Sequence, residues 1–425
     1  MPMIDRCRRA LLAAAAAYLV LLPTGALSFW RSLAFAAAVA SGAWLLAIRA
    51  RDASLRLPLP DRAIPLAVLA WSLWSAASLA WSIDPRYSLD ELKPDVIYGV
   101  ATMALFYLAV VGAPRGFAVL AATWLAGFAV WTSLAAGMEL SWAGWDARPL
   151  HRGEGAFATY LVTASPFLWL LAWRVPVGVR ASGRDWFGAA LLFALLIVTA
   201  RLSENRIVWI AFAAQAIVLA MWSQRPARLP RAALLAVVVA VAAFGLLFAD
   251  AARDRAHKIR PDDGSVSVVF ATDPRLAIWS VAFTHIADRP WLGHGYGLHI
   301  LGRELGRDTG DTRIMHPHNL FVSQWLQTGV VGLALLAAML VAVARRLLAY
   351  ARSGDVELAR YGAIGLAVLA GYVVRNLTDD FFIRANGKLL FAALAMVLAA
   401  GTVRAQALAR VRASAAAAPA TAAAP

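Results

Sequence analysis

Two histidines and an asparagine stand where a long polar segment meets a long apolar one, in the sequence MHPHNL at 315–320. Pro317 suits the first turn of a helix, because the N–H that proline lacks has no partner there. We therefore predict that a membrane helix begins near residue 318. The positive end of that helix would keep the His318 imidazole neutral, as a general base requires. The alternative is that His316 and His318 only cap the helix and meet lipid headgroups.

Two arginines offer cationic groups that could complete such a site. Arg206 lies beside an apolar run, in the sequence SENRIVW, and Arg275 opens a predicted helix over 274–289. The guanidinium fork matches phosphate oxygens, so both side chains are candidates to bind an anionic substrate. The alternatives are structural. Arg206 could reach water at the interface or pair with Glu204, and Arg275 could pair with a nearby aspartate.

Paired carboxylates offer a different chemistry. Asp379 and Asp380 form one pair, and Asp262 and Asp263 form another, and either pair could hold a divalent cation. Neither pair lies in a recognisable metal-binding loop, so we interpret both as solvated loop charges. The single cysteine, Cys7, excludes a disulfide within the chain and a cysteine metal cluster. We predict no metal site.

The elements that must position these residues are membrane helices. Of the 425 residues, 61% are hydrophobic, and apolar runs of roughly 17–25 residues recur, long enough to cross a ~30 Å hydrocarbon layer. The sequence predicts an all-α, polytopic integral membrane protein with about twelve transmembrane helices. The predicted spans are 10–29, 30–48, 64–82, 95–112, 116–137, 156–173, 186–200, 207–223, 232–249, 320–343, 361–374 and 389–403.

The arginines set the predicted orientation. With both termini in the cytoplasm, the cytoplasmic segments carry the whole net charge of +15, as the positive-inside rule requires. The charge therefore needs no nucleic-acid partner. Arg6, Arg8 and Arg9 precede the first apolar run as in a signal peptide, but a retained signal-anchor fits the many spans behind it better.

The predicted organisation has four parts. Residues 1–249 hold nine spans, and 250–319 form a large outer segment with an amphipathic helix near 274–289. The sequence WLGHGYG at 291–297 in that segment predicts a turn, because glycines alternate along it. Residues 320–412 hold the last three spans, and the Ala/Pro-rich tail at 413–425 is predicted to be disordered.

These motifs in this order resemble the O-antigen ligase family over roughly residues 200–335. The resemblance implies a GT-C-like membrane glycosyltransferase of the inner membrane of a Gram-negative bacterium. It also implies transfer of O-antigen polysaccharide from undecaprenyl diphosphate to a sugar hydroxyl of lipid A–core oligosaccharide, at the periplasmic face, with inversion and no metal or other cofactor. The matching motifs are Ser203-Glu204-Asn205-Arg206, Asp273-Pro274-Arg275 with Trp279, Pro290-Trp291-Leu292-Gly293-His294-Gly295 and His316-Pro317-His318-Asn319.

The resemblance assigns the general base to His318 and diphosphate binding to Arg206 and Arg275. The supporting candidates are His316, Asn319, Arg86 and Asp379, with Arg86, Lys93, Arg375, Arg384 and Lys388 as charges that could steer anionic lipids. One departure is that family members commonly keep a tighter Ser-Arg pair, so Ser203 is left without a family role.

Other functions remain open from the sequence. O-antigen polymerases and protein O-oligosaccharyltransferases use the same donor type and differ in the acceptor. A transporter or flippase for the lipid-linked sugar is the alternative of another class. It is disfavoured because the spans are nearly free of charge and the polar groups gather on one side. A membrane scaffold is disfavoured by the long outer segment. The expected partners are donor, acceptor and membrane lipids.

Overall fold

The computed structural model describes residues 2–52, 57–141, 153–173, 183–222, 242–250, 252–254, 256–257 and 273–417. These residues form helices, turns and irregular connections, with no strand among them. Seven helices are long and apolar enough to cross a membrane. The prediction of an all-α, polytopic membrane protein is therefore confirmed.

Fifteen α-helices are labelled here in chain order. Their bounds are α1 Pro2–Leu21, α2 Ser28–Arg51, α3 Ala63–Ala77, α4 Pro85–Leu92, α5 Tyr98–Gly112, α6 Gly116–Ser141, α7 Glu154–Ala164, α8 Trp169–Trp173, α9 Gly183–Leu202, α10 Ile207–Trp222, α11 Arg275–Asp288, α12 Gly302–Asp308, α13 Leu320–Ala351, α14 Val356–Arg375 and α15 Arg384–Ala417. Residues 242–250 are also helical.

Several predicted span boundaries differ from the structure. The run predicted at 10–29 is helical only to Leu21, and α2 begins at Ser28. The run predicted at 156–173 is interrupted by a 3₁₀ turn at Ser165–Leu168, where Pro166 removes a backbone donor. In the runs predicted at 186–200 and 207–223, the apolar helices are Phe187–Leu202, which is part of α9, and Ile207–Trp222, and both are shorter than the seven candidate spans.

Two further predictions concern segments near or beyond the described residues. Part of the run predicted at 232–249 lies outside the described residues, as do Asp262 and Asp263. Residues 413–417, assigned from the sequence to a disordered tail, continue α15, while 418–425 lie outside the described residues.

Helix α15 lies at the centre of the bundle. Every residue from Leu389 to Ala400 is buried, as expected of a helix that is apolar all round. It packs against α5 and α14, and α14 in turn packs against α13 and α10. Gly362 allows α13 and α14 to cross closely, because a side chain there would collide with the backbone of Leu347 and Ala351. This packing therefore fixes the positions of α13 and α14, and with them the positions of their ends.

Helix α13 is broken at Gly329, whose backbone has φ +69°. A side chain at Gly329 would collide with the Trp291 carbonyl, so only glycine fits this position. The loop over 290–297, which is a turn as predicted, supplies hydrogen bonds at the break. His294 and Gly295 donate their backbone N–H groups to the carbonyls of residues 326 and 327, at 3.0 and 2.9 Å. This loop therefore holds the first part of α13 in place.

The helices α10 and α14 run antiparallel. Gly371 in the last part of α14 lies against Gln215 in the middle of α10, and the guanidinium of Arg352, which precedes α14, lies 5.7 Å from the ring centre of Trp222 at the end of α10. The start of α10 therefore lies at the end of the bundle where α14 finishes at Arg375. We call this end, where α13 also begins, the site end.

Candidate functional site

The start of α13 is set by Asn319. Its Oδ1 accepts hydrogen bonds from the backbone N–H groups of Phe321 (2.9 Å) and Val322 (3.2 Å), which caps a helix that begins at Leu320. The helix predicted to begin near residue 318 begins at Leu320, where the predicted span 320–343 also starts, but Pro317 lies before the cap and not in the first turn. The amide side chain of Asn319 satisfies the first free N–H groups, so the helix begins after it.

The loop over 376–383 folds back against this helix start. The carbonyls of residues 376, 377 and 378 accept hydrogen bonds from the Leu320 backbone N–H (2.9 Å), Asn319 Nδ2 (2.8 Å) and Arg275 Nε (3.1 Å). Three successive carbonyls thus tie the loop to α13 and to α11. The next residue in the loop, Asp379, is thereby fixed beside the histidines.

His318 is held in a strained conformation between its neighbours. Its backbone has φ +52°, in the left-handed region that few non-glycine residues adopt. Its backbone N–H donates to His316 Nδ1 at 3.2 Å, and the two rings lie 3.9 Å apart. The Trp279 indole N–H donates to the Pro317 carbonyl at 2.8 Å. Strain of this kind is retained where the surroundings fix it, commonly at functional sites.

The imidazole of His318 is paired with Asp379. His318 Nδ1 lies 3.1 Å from Asp379 Oδ1. A carboxylate accepts only, so we assign the proton to Nδ1, which leaves the lone pair of Nε2 free. Burial alone would raise the pKa of Asp379. The hydrogen bond with His318 and the charge of Arg375 outweigh burial and hold the pKa well below its usual value. Asp379 therefore stays ionised.

Arg375 lies behind Asp379. Its Nη2 lies 3.5 Å from Asp379 Oδ2 and 3.2 Å from the Gly155 carbonyl, and its guanidinium stacks over the Phe381 ring at 4.8 Å. The side chain is only 1% exposed. The sequence suggested that Arg375 could steer anionic lipids, but a buried side chain cannot do so at the surface. Arg375 instead holds Asp379.

His316 supports the geometry without competing for protons. Burial and the neighbouring His318 lower the pKa of His316 to about 3, so this ring is neutral at neutral pH. The ring of His299 lies 5.6 Å from that of His316, and burial lowers the pKa of His299 as well.

The prediction that Asp379 and Asp380 are solvated loop charges is wrong. Asp380 is buried, and this burial raises its pKa to about 7. The sequence offers one signal of this burial, because half of the loop over 376–383 is apolar, in the sequence NLTDDFFI. Phe382 is buried as well, and its backbone N–H donates to Asp380 Oδ1 at 3.1 Å.

Arg275 lies at the edge of the same group. Its Nε donates to the Thr378 carbonyl and its Nη1 to Asp273 Oδ2 at 2.9 Å, as the structural alternative from the sequence predicted. Nη2 donates to no acceptor among the described residues, and the side chain is 32% exposed. The Arg275 guanidinium is therefore held through Nε and Nη1, while Nη2 remains available to a ligand.

Arg206 and Arg86 lie farther out. Arg206 is in the turn between α9 and α10, at the site end because α10 and α14 are antiparallel. Glu204 in the same turn has φ +47°, and Ser203 is buried with its hydroxyl bonded to the Ala200 carbonyl. Arg86 is exposed in the first turn of α4. The described contacts bring together His318, Asp379 and Arg275, but they do not join Arg206 or Arg86 to this group.

The same group has the composition of a metal site. Ligand atoms of His316, His318 and Asp379 lie within 4.8 Å of one another. Two imidazoles and a carboxylate suit zinc and similar ions. In the structure His316 Nδ1 instead accepts from a backbone N–H, and His318 Nδ1 pairs with the carboxylate. Hydrogen bonds therefore already engage Nδ1 of both rings.

Comparison with known proteins supports the resemblance. Residues 191–337 match the family model described as O-Antigen ligase. The chain is also 29% identical over 291 residues to a protein of Pseudomonas aeruginosa named O-antigen ligase, and the match covers 66% of this chain. It covers 64% of the relative, a little less than two thirds of that protein's length. The resemblance to the O-antigen ligase family is thereby confirmed, and it includes the segments that carry Arg206, Arg275 and His318.

Proposed function

We propose that this protein is an O-antigen ligase, a glycosyltransferase that moves O-antigen polysaccharide from undecaprenyl diphosphate to a sugar hydroxyl of lipid A–core oligosaccharide. The observation that carries the proposal is the His318–Asp379 pair beside Arg275. His318 and Arg275 lie inside the region that matches the family model, and Asp379 lies beyond its end. A base and a cation side by side suit a reaction in which a hydroxyl loses a proton and an anion leaves.

In the proposed reaction, His318 Nε2 takes the proton of the acceptor hydroxyl as its oxygen attacks the anomeric carbon. The bond from that carbon to the diphosphate oxygen breaks, and its electron pair leaves on the diphosphate. Attack opposite the leaving group inverts the anomeric centre. A positioned base of this kind contributes roughly 10²–10⁴-fold to the rate.

The protonated His318 is then stabilised by Asp379. An ionised carboxylate at Nδ1 favours the imidazolium that forms and fixes the ring in the tautomer that exposes Nε2. The hydrogen bond with His318 and the charge of Arg375 together lower the pKa of Asp379 and keep it ionised. Asp379 and Arg375 act through His318 and are therefore positioning residues.

Arg275 and Arg206 are proposed to bind the diphosphate. Guanidinium groups fixed before the reaction stabilise the charge that develops on the leaving group. Arg275 is held by Asp273 and the Thr378 carbonyl, so its free edge is already oriented. Arg206 lies at the same end of the bundle and is assigned the second contact. This end would face the periplasm of a Gram-negative bacterium, with both termini in the cytoplasm.

The test is transfer by the purified protein in detergent or nanodiscs. Lipid-linked O-antigen is offered with lipid A–core, with a second glycan unit, or with a serine-containing protein. We expect extension of lipid A–core, with His318→Ala slower by about 10²–10⁴-fold and His299→Ala close to wild type as the matched histidine control. Extension of glycan or protein instead would make the chain a polymerase or an oligosaccharyltransferase. Normal transfer by a folded His318→Ala would refute the assignment of the base.

A further inference from the structure

A cavity opens at the end of the bundle opposite the site. It has a volume of about 460 Å³, and Glu357 at the start of α14 and Arg404 on α15 help to line it. Helix α14 has 20 residues, so Glu357 lies nearly 30 Å along the helix from Arg375, at a rise of ~1.5 Å per residue. Arg384 and Arg404 on α15 are separated by a similar length. The cavity is therefore distinct from the His318 group.

The cavity walls combine apolar and cationic groups. Val110, Phe117 and Val403 contribute apolar surface, and Arg8 and Arg115 contribute two further cations. The cavity lies where α5 ends and α6 begins, at the end of membrane-crossing helices. Such a position gives access both to water and to the lipid layer.

The three arginines of the cavity are not equally engaged. Arg404 donates twice to Asp355, at 3.0 and 2.7 Å, and lies 3.5 Å from Glu357, so its charge is satisfied. Arg115 is exposed and forms no ion pair with any residue that the structure describes.

Arg8 also retains a free donor. It forms a 3.5 Å contact with the exposed Asp5, but its Nε is buried without a hydrogen-bond partner in the described part of the chain. A buried donor is costly to leave without an acceptor. Arg8 and Arg115 therefore provide the positive charge and the hydrogen-bond donor that a bound anion would satisfy.

We propose that this cavity binds the phosphodiester headgroup of an anionic phospholipid from the leaflet at this end of the bundle. The phosphate would lie between Arg8 and Arg115, and the first carbons of the acyl chains would lie along the apolar wall. A lipid fits better than a free anion, because apolar residues form most of the lining and the helices around it cross the membrane. Basic pockets between membrane helices recognise anionic lipid headgroups in this way.

The test measures lipid binding to the purified full-length protein by native mass spectrometry in detergent, with phosphatidylglycerol and phosphatidylcholine as probes. We expect wild type to prefer phosphatidylglycerol. An arginine near an anionic headgroup is worth about fivefold in affinity, so Arg8→Gln/Arg115→Gln should bind phosphatidylglycerol roughly 25-fold more weakly. The matched control is Arg410→Gln, which removes one exposed charge from α15 without touching the cavity.

A second variant guards against a fold defect in the double variant. Ala407→Trp fills the cavity and leaves every charge in place, and it should also lose phosphatidylglycerol binding while its thermal unfolding midpoint in detergent stays near that of wild type. Equal binding by wild type, the double variant and Ala407→Trp would overturn the proposal. So would equal binding of phosphatidylcholine, or full displacement of the lipid by millimolar inorganic phosphate, which would identify a site for free phosphate.

Discussion

Two aspartates at opposite ends of the bundle show how the same residue type can serve stability or chemistry. Asp355 and Asp379 each have a side chain that is 18% exposed, and each lies near an arginine. Asp355 caps α14 by accepting the Leu358 backbone N–H at 2.9 Å and forms two hydrogen bonds with Arg404. Its acceptor positions are filled by fixed partners, so the group is structural.

Asp379 is bonded differently. Its closest side-chain partner is His318, and its arginine lies at 3.5 Å. Histidine is the side chain that exchanges protons near neutral pH. The backbone differs as well, because the non-glycine residues with positive φ in the described chain, Glu204, His318 and Arg384, are all at or beside the site end. The site end therefore combines backbone strain with a histidine, whereas the opposite end has ordinary caps and ion pairs.

Neutralising each aspartate in turn is the strongest test of the difference between Asp379 and Asp355. Asp379→Asn should reduce glycan transfer by about 100-fold or more, because an amide no longer fixes the tautomer of His318 or stabilises its protonated form. Asp355→Asn keeps the helix cap and loses only the partly exposed ion pair, so transfer per folded molecule should persist with a loss of about 0.5–1 kcal/mol of stability. Initial rates and thermal unfolding midpoints measure both. Similar losses of activity in the two variants would contradict the distinction.

Replacing Arg275 sharpens the assignment of the diphosphate site. Arg275→Lys keeps the charge but loses the fork, and with it the bond to the Thr378 carbonyl. We expect transfer to fall by about tenfold, from the loss of one charge-assisted hydrogen bond. Arg206→Lys should act in the same direction. The exposed Arg313, which pairs with Asp311 away from His318, provides the control variant, Arg313→Lys. Equal rates for Arg275→Lys and Arg313→Lys would remove Arg275 from the site.

The burial of Asp380 predicts a pH dependence of stability. Burial raises the pKa of Asp380 to about 7 in the folded state, from an ordinary 3.8. The contribution of Asp380 to the free energy of unfolding is therefore fully present below about pH 4 and is lost as pH rises through 7. The thermal unfolding midpoint of wild type should decrease as the pH is raised from 5 to 8, and Asp380→Asn should make this decrease smaller. An identical pH profile in the two proteins would show that Asp380 does not titrate in this range.

The smallest expected effect is that of a chelator. Hydrogen bonds already engage Nδ1 of His316 and of His318, so EDTA should leave the rate of glycan transfer unchanged. Added zinc should inhibit, since it would compete for His318 and Asp379. Loss of activity with EDTA, restored by a divalent ion, would instead make this group a metal centre.

The amino-acid sequence by itself determined the class of fold and the leading candidates for the site. Apolar runs of membrane length identify spanning helices regardless of their neighbours, and the MHPHNL motif and the arginine motifs carry the resemblance to the O-antigen ligase family. It misjudged the loop over 376–383, because burial depends on how distant helices cross. Arg375 looked like a surface charge at a helix end, and its burial under Phe381 leaves no local pattern.

What only the tertiary structure decided is the partnership of His318 and Asp379, which lie 61 residues apart in the chain. The glycine break in α13, the Asn319 cap and three successive carbonyls of the loop over 376–378 together bring the two side chains to hydrogen-bond distance. The loop contacts and the contacts at the glycine break join segments that are far apart in sequence, and local propensity carries no information about them. The Asn319 cap, in contrast, is a local contact. Residue types therefore identified the candidate base, and the packing of the bundle decided which ring nitrogen of His318 carries the proton.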